Sequence, residues 1–404
     1  MPTLLQINVT ANWGSTGKIA EDIGKVAMAN GWESYIAYGR DTKPSSTSKL
    51  IPIGNKWDMY YHGIQTRIFD KHGLASKKAT KELIKTIKLI NPDIIHLHNI
   101  HGYFINYEIL FEYLSISGKP IVWTLHDCWP FTGHCAHFDF VQCNKWKEDC
   151  ANCRYKKTFP TSNVLSNSAD NYKRKKKSFT SIKDLTLIPV SNWLHDLLEE
   201  SFLNKYPRKT IHNGIDTNVF TPTPENHMNN NKFSIIGVAS VWTERKGLKD
   251  FIRLRKLLPQ EYCITMIGLN KEQIESLPPD IKGIVRTNSL AELIEYYSTA
   301  DVYVNPTYED NFPTTNIEAL ACGTPVITYD TGGSTEAINQ QTGYIVKQGD
   351  IEGLSKCITM LCNDNYKEAT RKACRERAVA LYNKDDRFDE YLNLYNSLLK
   401  KQNL

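Results

Sequence analysis

A chain of 404 residues exceeds what one hydrophobic core usually supports and predicts two domains of about 200 residues each. Hydrophobic residues make up 41% and charged residues 23%, an ordinary globular balance, and a net charge of +5 is too mild to argue for nucleic acid. No apolar run approaches the roughly 20 residues of a membrane span, and the opening Met-Pro-Thr-Leu-Leu-Gln-Ile-Asn-Val reads as a strand rather than a signal peptide, so a cytoplasmic location is expected.

Residues 4–9 have the pattern of a buried strand, and 17–30 that of a helix with Ile19, Ala20, Ile23, Val26 and Ala27 on one face. Between them lies Asn12-Trp13-Gly14-Ser15-Thr16-Gly17-Lys18. A glycine turn from strand to helix lets backbone N–H groups approach a ligand, which makes Gly14 and Gly17 candidate contacts. Its spacing is neither that of a P-loop nor of a dinucleotide fingerprint, and plain structural punctuation stays open. Strands at 35–38, 94–98, 121–125 and 187–190, with a helix at 79–90, continue the alternation and predict a doubly wound parallel sheet. Histidines gather where two of these strands end, the edge that binds ligands in such sheets. Alternation sends His96 and His98 to one side, as core residues or as ligands. His126, next to Asp127, is a histidine that a neighbouring acid orients and tunes.

A cysteine-rich insertion follows at about 128–155, with Cys128, Cys135, Cys143, Cys150 and Cys153 inside 26 residues. Disulfides are not expected in a reducing compartment. Cys150-x2-Cys153 has the spacing of half a zinc knuckle, and Cys135 with Cys143 completes a candidate structural zinc site; packed thiols are the alternative. Trp129, Phe131, Phe138, Phe140 and Trp146 suggest a small aromatic core around it. Lys173-Arg174-Lys175-Lys176-Lys177 is either a solvated helix face or a contact for anionic lipid headgroups. A linker rich in Pro and Asn is expected at 221–231.

The second domain opens with a strand at 234–239, and Arg245-Lys246-Gly247 lies just beyond its end. A strand at 263–267 and a serine-capped helix at 289–299 follow. The most informative stretch runs from Asn305 to Glu336. It reads as the end of a strand (301–304), a loop, a helix over about 314–322 started by Pro313, Thr314 and Thr315 and stopped by Gly323, then a strand at 325–328 and a glycine turn. A helix that starts after a parallel strand presents free N–H groups to an anion. Asp310 and Glu318 flank that place as hydroxyl acceptors, an arrangement suited to a sugar nucleotide. Amphipathic helices at 350–362, 366–381 and 387–399 complete the chain.

This stretch resembles the signature of the retaining family 4 glycosyltransferases (glycosyl transferases group 1) of the GT-B fold, bacterial polysaccharide-biosynthesis type: two acids seven residues apart, Ala-Leu-Ala-Cys-Gly-Thr-Pro-Val, then Gly-Gly-x-x-Glu. The resemblance covers nearly the whole chain. It implies two Rossmann-like domains facing across a cleft, an acceptor-side domain at 1–218, a nucleotide-sugar domain at 219–384 and a last helix, 385–404, crossing back to the first. It makes Asp310 the contact to the donor sugar, in place of the usual Glu, with Glu309 one residue out of register. Glu318 becomes the ribose clamp. His126 becomes the histidine that meets the donor sugar, and the Gly14–Gly17 turn lies near the diphosphate. Lys246 grips the diphosphate; Ala239-Ser240 replaces the usual Gly-Arg, so Arg245 is the candidate second cation. Gly283-Ile284-Val285-Arg286 becomes the segment that meets the base, and Asn311, Phe312, Thr314 and Thr315 complete the donor set. His126, Asp310 and Lys246 are the catalytic candidates.

The expected reaction moves a sugar from a nucleoside diphosphate to a glycan or lipid-pyrophosphate-linked acceptor in surface polysaccharide biosynthesis, with no cofactor required for catalysis. The leaving phosphate assists a front-face displacement, and the cations do what a metal does elsewhere. A peripheral contact with the anionic inner face of the plasma membrane is a further expectation; nucleic acid is not a partner. A phosphorylase or epimerase, or a catalytically silent sugar-nucleotide-binding or scaffold protein, are the rival readings on the same fold.

Overall fold

The computed structural model describes residues 1–40, 45–224, 232–362 and 367–402. The chain divides into two units, Met1–His212 with Phe388–Leu404, and Asn213–Arg387.

The first unit takes β1 (Thr3–Asn8), α1 (Gly14–Ala29), β2 (Glu33–Tyr38), β3 (Lys49–Pro52), α2 (Lys56–Phe69), α3 (Lys77–Ile90), β4 (Ile94–Leu97), α4 (Tyr107–Ile116), β5 (Ile121–Leu125), α5 (Ser168–Phe179), β6 (Leu185–Pro189) and α6 (Asn192–Glu200). Its strands are all parallel, in the order β3-β2-β1-β4-β5-β6. Both faces are covered, so the central strands are apolar runs rather than alternating ones. β4 and β5 are buried at every residue.

The second unit repeats the plan with β7 (Phe233–Val238), α7 (Leu248–Leu257), β8 (Tyr262–Ile267), α8 (Lys271–Glu275), β9 (Ile281–Ile284), α9 (Leu290–Thr299), β10 (Val302–Asn305), α10 (Thr314–Ala321), β11 (Val326–Tyr329), β12 (Gly343–Val346), α11 (Ile351–Cys362) and α12 (Lys367–Tyr382). Here the order is β12-β11-β10-β7-β8-β9. In each sheet the strand order reverses beside the first strand, between β1 and β4 and between β7 and β10. Ligands of doubly wound sheets bind outside the carboxyl ends at that reversal. Two candidate positions are therefore set by topology alone.

The last helix, α13 (Lys384–Gln402), starts in the second unit, and from Phe388 onward its residues belong to the first. Phe388, Tyr391, Leu392, Tyr395 and Leu398 pack with Leu4, Ile19, Ile23, Trp32 and Ile94 in one core cluster.

Some boundaries differ from those read in the sequence. The division falls between His212 and Asn213, ahead of the expected linker, of which 225–231 lie outside the described residues, as does residue 366 at the expected start of α12. The sequence reading omitted the helices α2, α4, α7 and α8. The reason is clearest for α2, whose large apolar side chains face outward. Among the described residues no helix is long and apolar enough to cross a membrane.

Candidate functional site

At the reversal of the second sheet, the turns leaving β7 and β10 are fastened to each other. Gly247 has φ +77°, and a Cβ there would lie 2.3 Å from the Pro306 carbonyl oxygen. Only glycine lets the two turns touch in this conformation. The Tyr308 N–H donates to the Arg245 carbonyl at 2.8 Å. Two cations are thereby set beside two acids. The Lys246 ammonium pairs with Asp310. Arg245 donates to the Glu309 carbonyl oxygen at 3.1 Å, and its Nε lies 3.5 Å from the Glu309 carboxylate. Glu309 is buried, whereas Asp310 is only half-buried, so the acid with the seven-residue spacing is also the more accessible one.

The glycine pair of the signature explains itself in the same terms. Gly333 N–H donates to the Asp310 carbonyl at 3.1 Å, and a Cβ on Gly332 would lie 2.1 Å from that same oxygen. Any side chain at Gly332 would push Asp310 away from Lys246.

α10 begins at Pro313 with no side chain capping its first turn, so Thr314 and Thr315 sit where a helix N-terminus carries partial positive charge. One turn on, Glu318 accepts a hydrogen bond from the Tyr297 hydroxyl at 3.1 Å. Burial, with the Glu318 charge next in weight, pushes the Tyr297 phenol well above its ordinary value, so it stays a donor. A buried polar network missed in the sequence holds this helix in place. Asn305 donates to the Asn316 side-chain oxygen at 2.8 Å, Asn316 donates to the Ser334 carbonyl at 2.9 Å, and Thr328 and Ser334 share a 2.7 Å hydroxyl bond. The available signal was Asn316 itself, a polar residue on the inward side of a short apolar helix.

Three predicted donor contacts stand apart. Asn311 and Phe312 are buried; the Phe312 ring lies 5.6 Å from that of Tyr382, and its carbonyl accepts from Asn213 at 3.3 Å. The Phe312 contacts hold the loop from within. Arg286 is exposed just past β9, the edge strand, with β8 between it and β7.

In the first unit, the turn between β1 and α1 lies at the corresponding reversal. A Cβ on Gly17 would lie 2.7 Å from Thr10 Oγ1, so this glycine serves packing, while Gly14 has φ +66° and open space around it. Trp13 between them is 65% exposed.

His126, at the end of β5, is joined to a chain of neutral groups, and the neighbouring Asp127 charge acts on it in the opposite sense to burial. The Gln6 amide nitrogen donates to the Ala20 carbonyl at 2.7 Å, which turns its oxygen to His98 Nε2 at 3.0 Å. His98 must then donate from Nε2 and accept at Nδ1, where His126 Nε2 lies at 3.2 Å. This fixes the tautomer of His126, with Nδ1 in acceptor form. Burial lowers its pKa to about 4, and lowers those of His96 and His98 well below the ordinary value. A neutral His126 is not an acid, and its chemistry is that of a hydrogen-bond acceptor at Nδ1. Asp127 turns instead to His101 Nε2 at 2.6 Å and the Trp129 N–H at 2.9 Å. Burial alone would raise its pKa, and these partners, His101 foremost, bring it to about 2. His96 bonds to Thr124 at 2.8 Å and to the Tyr395 hydroxyl of α13 at 2.7 Å, a core role.

Cys135, Cys143, Cys150 and Cys153 line one cavity of about 390 Å³ together with Phe138, Trp146 and Tyr155. Among the described residues no three His, Cys, Asp or Glu side chains are placed to hold a metal. Burial pushes the Cys135 thiol strongly up and the Cys150 thiol to about 11, and Cys150 accepts the Gly133 N–H at 3.1 Å. The aromatic core expected here forms from Phe131, Phe138 and Trp146. Trp129 leaves it for His72, His101 and Phe179, and Phe140 is exposed.

The basic run also divides. Lys173, Arg174, Lys176 and Lys177 are exposed, but Lys175 is buried, 3.5 Å from the Trp129 ring centroid, and donates to the Trp129 and Thr132 carbonyls at 2.7 and 3.0 Å. The five residues are not one charged face, because a helix turns the middle lysine inward.

Comparison with known proteins agrees with the two-unit architecture. The model for Glycosyltransferase Family 4 matches residues 19–219, and the model for Glycosyl transferases group 1 matches 220–380. A chain of Escherichia coli (strain K12) assigned to colanic acid biosynthesis as a glycosyl transferase, WcaC, is 23% identical over 418 residues, covering 98% of this chain and 100% of its own. A capsular polysaccharide biosynthesis glycosyltransferase of Staphylococcus aureus, CapM, is 25% identical over 178 residues, 41% of this chain and 47% of its own. Among solved structures, sucrose-phosphate synthase from Thermosynechococcus elongatus superposes with a TM-score of 0.72 at 17% identity, over 99% of this chain and 100% of its own. HepE of Anabaena in complex with UDP does so at 0.68 and 15%, over 98% and 100%. With two doubly wound units, the signature from Asn305 to Glu336 in place and both halves matched in turn, the chain belongs to the family 4, group 1 glycosyltransferases of the GT-B fold.

Proposed function

We propose that the chain transfers a sugar, with retention of configuration and without a metal in the transfer step, from a nucleoside-diphosphate sugar to a glycan or lipid-pyrophosphate-linked acceptor in surface polysaccharide assembly. The observation that carries this is the Lys246–Asp310 pair beside the uncapped start of α10, with Glu318 one turn on. In this reading the diphosphate takes the helix N–H groups near Thr314 and the Lys246 and Arg245 cations. Glu318, oriented by Tyr297, takes the ribose hydroxyls. When the C1–O bond to the diphosphate breaks, negative charge grows on the leaving phosphate, where the cations are worth most. The acceptor oxygen forms its bond to C1 on the same face, and its proton passes to the departing phosphate oxygen. The roles of His126 and Asp310 at the sugar rest on the family signature. The polysaccharide context rests on what the Escherichia coli and Staphylococcus aureus relatives are named for, and the proposed place of action is the cytoplasmic face of the membrane.

The test is titration calorimetry with nucleoside diphosphates. Glu318→Gln keeps an acceptor for Tyr297 and preserves the fold, while removing the charge. A charge-assisted bond lost there costs about 1.5–3 kcal/mol, or roughly 10- to 150-fold in affinity. Unchanged affinity would remove Glu318 from the site. Turnover of the intact donor separates a transferase from a silent binding protein.

For the cysteine lobe we propose one structural zinc, on the observation that four thiols face a single cavity. Binding requires that they draw together and lose their protons. Metal analysis of tag-free protein should find one zinc per chain; none would refute the proposal.

A further inference from the structure

α2 has its polarity reversed. Its inward side carries His62 and Thr66, both fully buried. The Gly73 N–H donates to His62 Nε2 at 3.0 Å, so His62 donates from Nδ1 to Ser76 Oγ at 2.8 Å, and Thr66 bonds back to the His62 carbonyl at 3.0 Å. The outward side carries Trp57, Tyr60, Tyr61, Ile64 and Ile68, spaced three, four, seven and eleven residues from the first, which is a single stripe along the helix. Trp57 is 80% exposed, Tyr60 62% and Tyr61 58%. The stripe does not end with the helix. Asn163 and Leu165 N–H groups donate to the Arg67 and Ile68 carbonyls at 2.7 and 3.1 Å, which lays the exposed Val164 and Leu165 alongside. Monomeric proteins seldom leave so continuous an apolar surface bare.

The exposed charges of residues 56–71 have one sign. Lys56, Arg67 and Lys71 are exposed, and the Lys71 ammonium lies 5.5 Å from the Phe69 ring centroid. The two acids of the segment are used internally. Asp58 caps the Asn55 N–H at 3.0 Å, and buried Asp70 bonds to His134 at 2.6 Å and to the Asn167 N–H at 2.8 Å.

We propose that α2 seats the protein on an anionic lipid bilayer, lying in the plane of the surface. Trp and Tyr among cations suit the headgroup level, and Ile64 and Ile68 suit the acyl boundary beneath it. A protein partner would need matching acids, whereas phospholipid headgroups supply negative charge everywhere along the stripe. The assignment stands apart from the sugar-transfer reading, because vesicle binding and donor chemistry are measured separately. It also moves the membrane contact away from the basic run of α5.

The experiment is co-sedimentation of the full chain with vesicles of phosphatidylglycerol and phosphatidylcholine, against phosphatidylcholine alone, at low and physiological salt. Wild type should pellet with the anionic vesicles and be released in part by salt. The variant Trp57→Ser, Tyr61→Ser, Ile64→Ser should lose at least about tenfold in partitioning while its circular dichroism and nucleoside diphosphate affinity stay as in wild type. Leu89→Ser with Ile116→Ser, which removes exposed apolar groups elsewhere, should bind as wild type. The proposal is overturned if wild type ignores anionic vesicles at low salt, or if the triple variant binds them unchanged. A dimer in sedimentation equilibrium that the triple variant abolishes would overturn it too, by showing a second copy on the stripe.

Discussion

The two units share a topology and solve the problem at the strand ends in opposite ways. In the second unit the reversal between β7 and β10 holds charge, Lys246 with Asp310 and Arg245 with Glu309, at the mouth of an uncapped helix. In the first unit the matching edge carries a neutral chain, Gln6, His98 and His126 bonded in series, and the acid there, Asp127, is turned to His101. The difference suits a division of labour between binding an anion and positioning hydroxyls. Ionic groups respond to a growing charge without moving, whereas a neutral imidazole of fixed tautomer selects direction.

The largest expected effect lies on the charged side. Lys246→Ala should lower donor turnover by about 100- to 1000-fold, the usual loss when one group that stabilises transition-state charge is removed. Donor affinity should change far less. Asp310→Asn in the same chain should add little, because the two side chains act as a pair. Steady-state kinetics of the two single variants and the double variant decide it, and full additivity would show that the pair in the structure does not act as a unit.

Next comes acid. Burial lowers the pKa of His62 to about 3 and that of His126 to about 4, and holds His72, His96 and His98 well below the ordinary value. All five belong to the first unit, while Asn213–Arg387 contains one histidine, His227. A group whose folded pKa is depressed binds protons better unfolded, so the stability of these neutral histidines is complete above about pH 6.5 and declines as pH falls toward 4. Asp127, lowered to about 2, is still ionised in that window and does not offset the loss. Hydrogen exchange should therefore show β1, β4 and β5 losing protection before β7, β10 and β11 as pH drops. Equal loss in both sheets would break the comparison.

How much of this was legible in the sequence depended on whether a residue's partner was near in the chain. The signature from Asn305 to Glu336 could be read because its turn, helix start and glycine pair act locally, and the spacing of Asp310 and Glu318 is set by one loop and one helix. The alternation of strands and helices was likewise visible and gave the doubly wound architecture. Partners distant in sequence were not visible. Asp127 was read beside His126 alone, because its hydrogen-bond partner His101 lies 26 residues away beyond another strand. Tyr297 holds Glu318 from α9, an element the signature does not include. The basic run looked uniform until the helical turn put Lys175 beneath Trp129. α2 was passed over because its apolar stripe points to solvent, where a periodicity argument expects polar residues.

Lys175 offers a gentler test of the same division. Burial lowers its pKa to about 7, against about 10.4 in an unfolded chain. Its folded pKa is depressed, so the unfolded state holds more protons between those values and stability rises with pH across them, by at most about 1.4 kcal/mol per pH unit. Lys175→Met should flatten that rise in urea titrations between pH 7 and 10. Lys173→Gln and Lys176→Gln, on the exposed face, should leave it within about 0.5 kcal/mol of wild type. A flat wild-type profile would mean that Lys175 keeps its proton in the core.

The smallest expected effect concerns Arg245, which stands one residue before Lys246 where the family's arginine is missing from the strand end. Its guanidinium is already engaged by Glu309, through the carbonyl at 3.1 Å and the carboxylate at 3.5 Å, and a cation shared with a buried carboxylate has less charge to lend a diphosphate. Arg245→Ala should then cost only about tenfold in donor turnover, or about 1.4 kcal/mol, well short of the Lys246→Ala loss. Part of that cost is indirect, because Glu309 would be left buried without its partner and the loop carrying Asp310 would loosen. The variant Arg245→Ala with Glu309→Gln separates the two parts. If the second change restores turnover, Arg245 serves the loop alone, and the second cation on the diphosphate has to come from elsewhere, with exposed Arg286 the first to try. If turnover stays tenfold down, Arg245 meets the donor directly, and the charged side of the comparison rests on two cations.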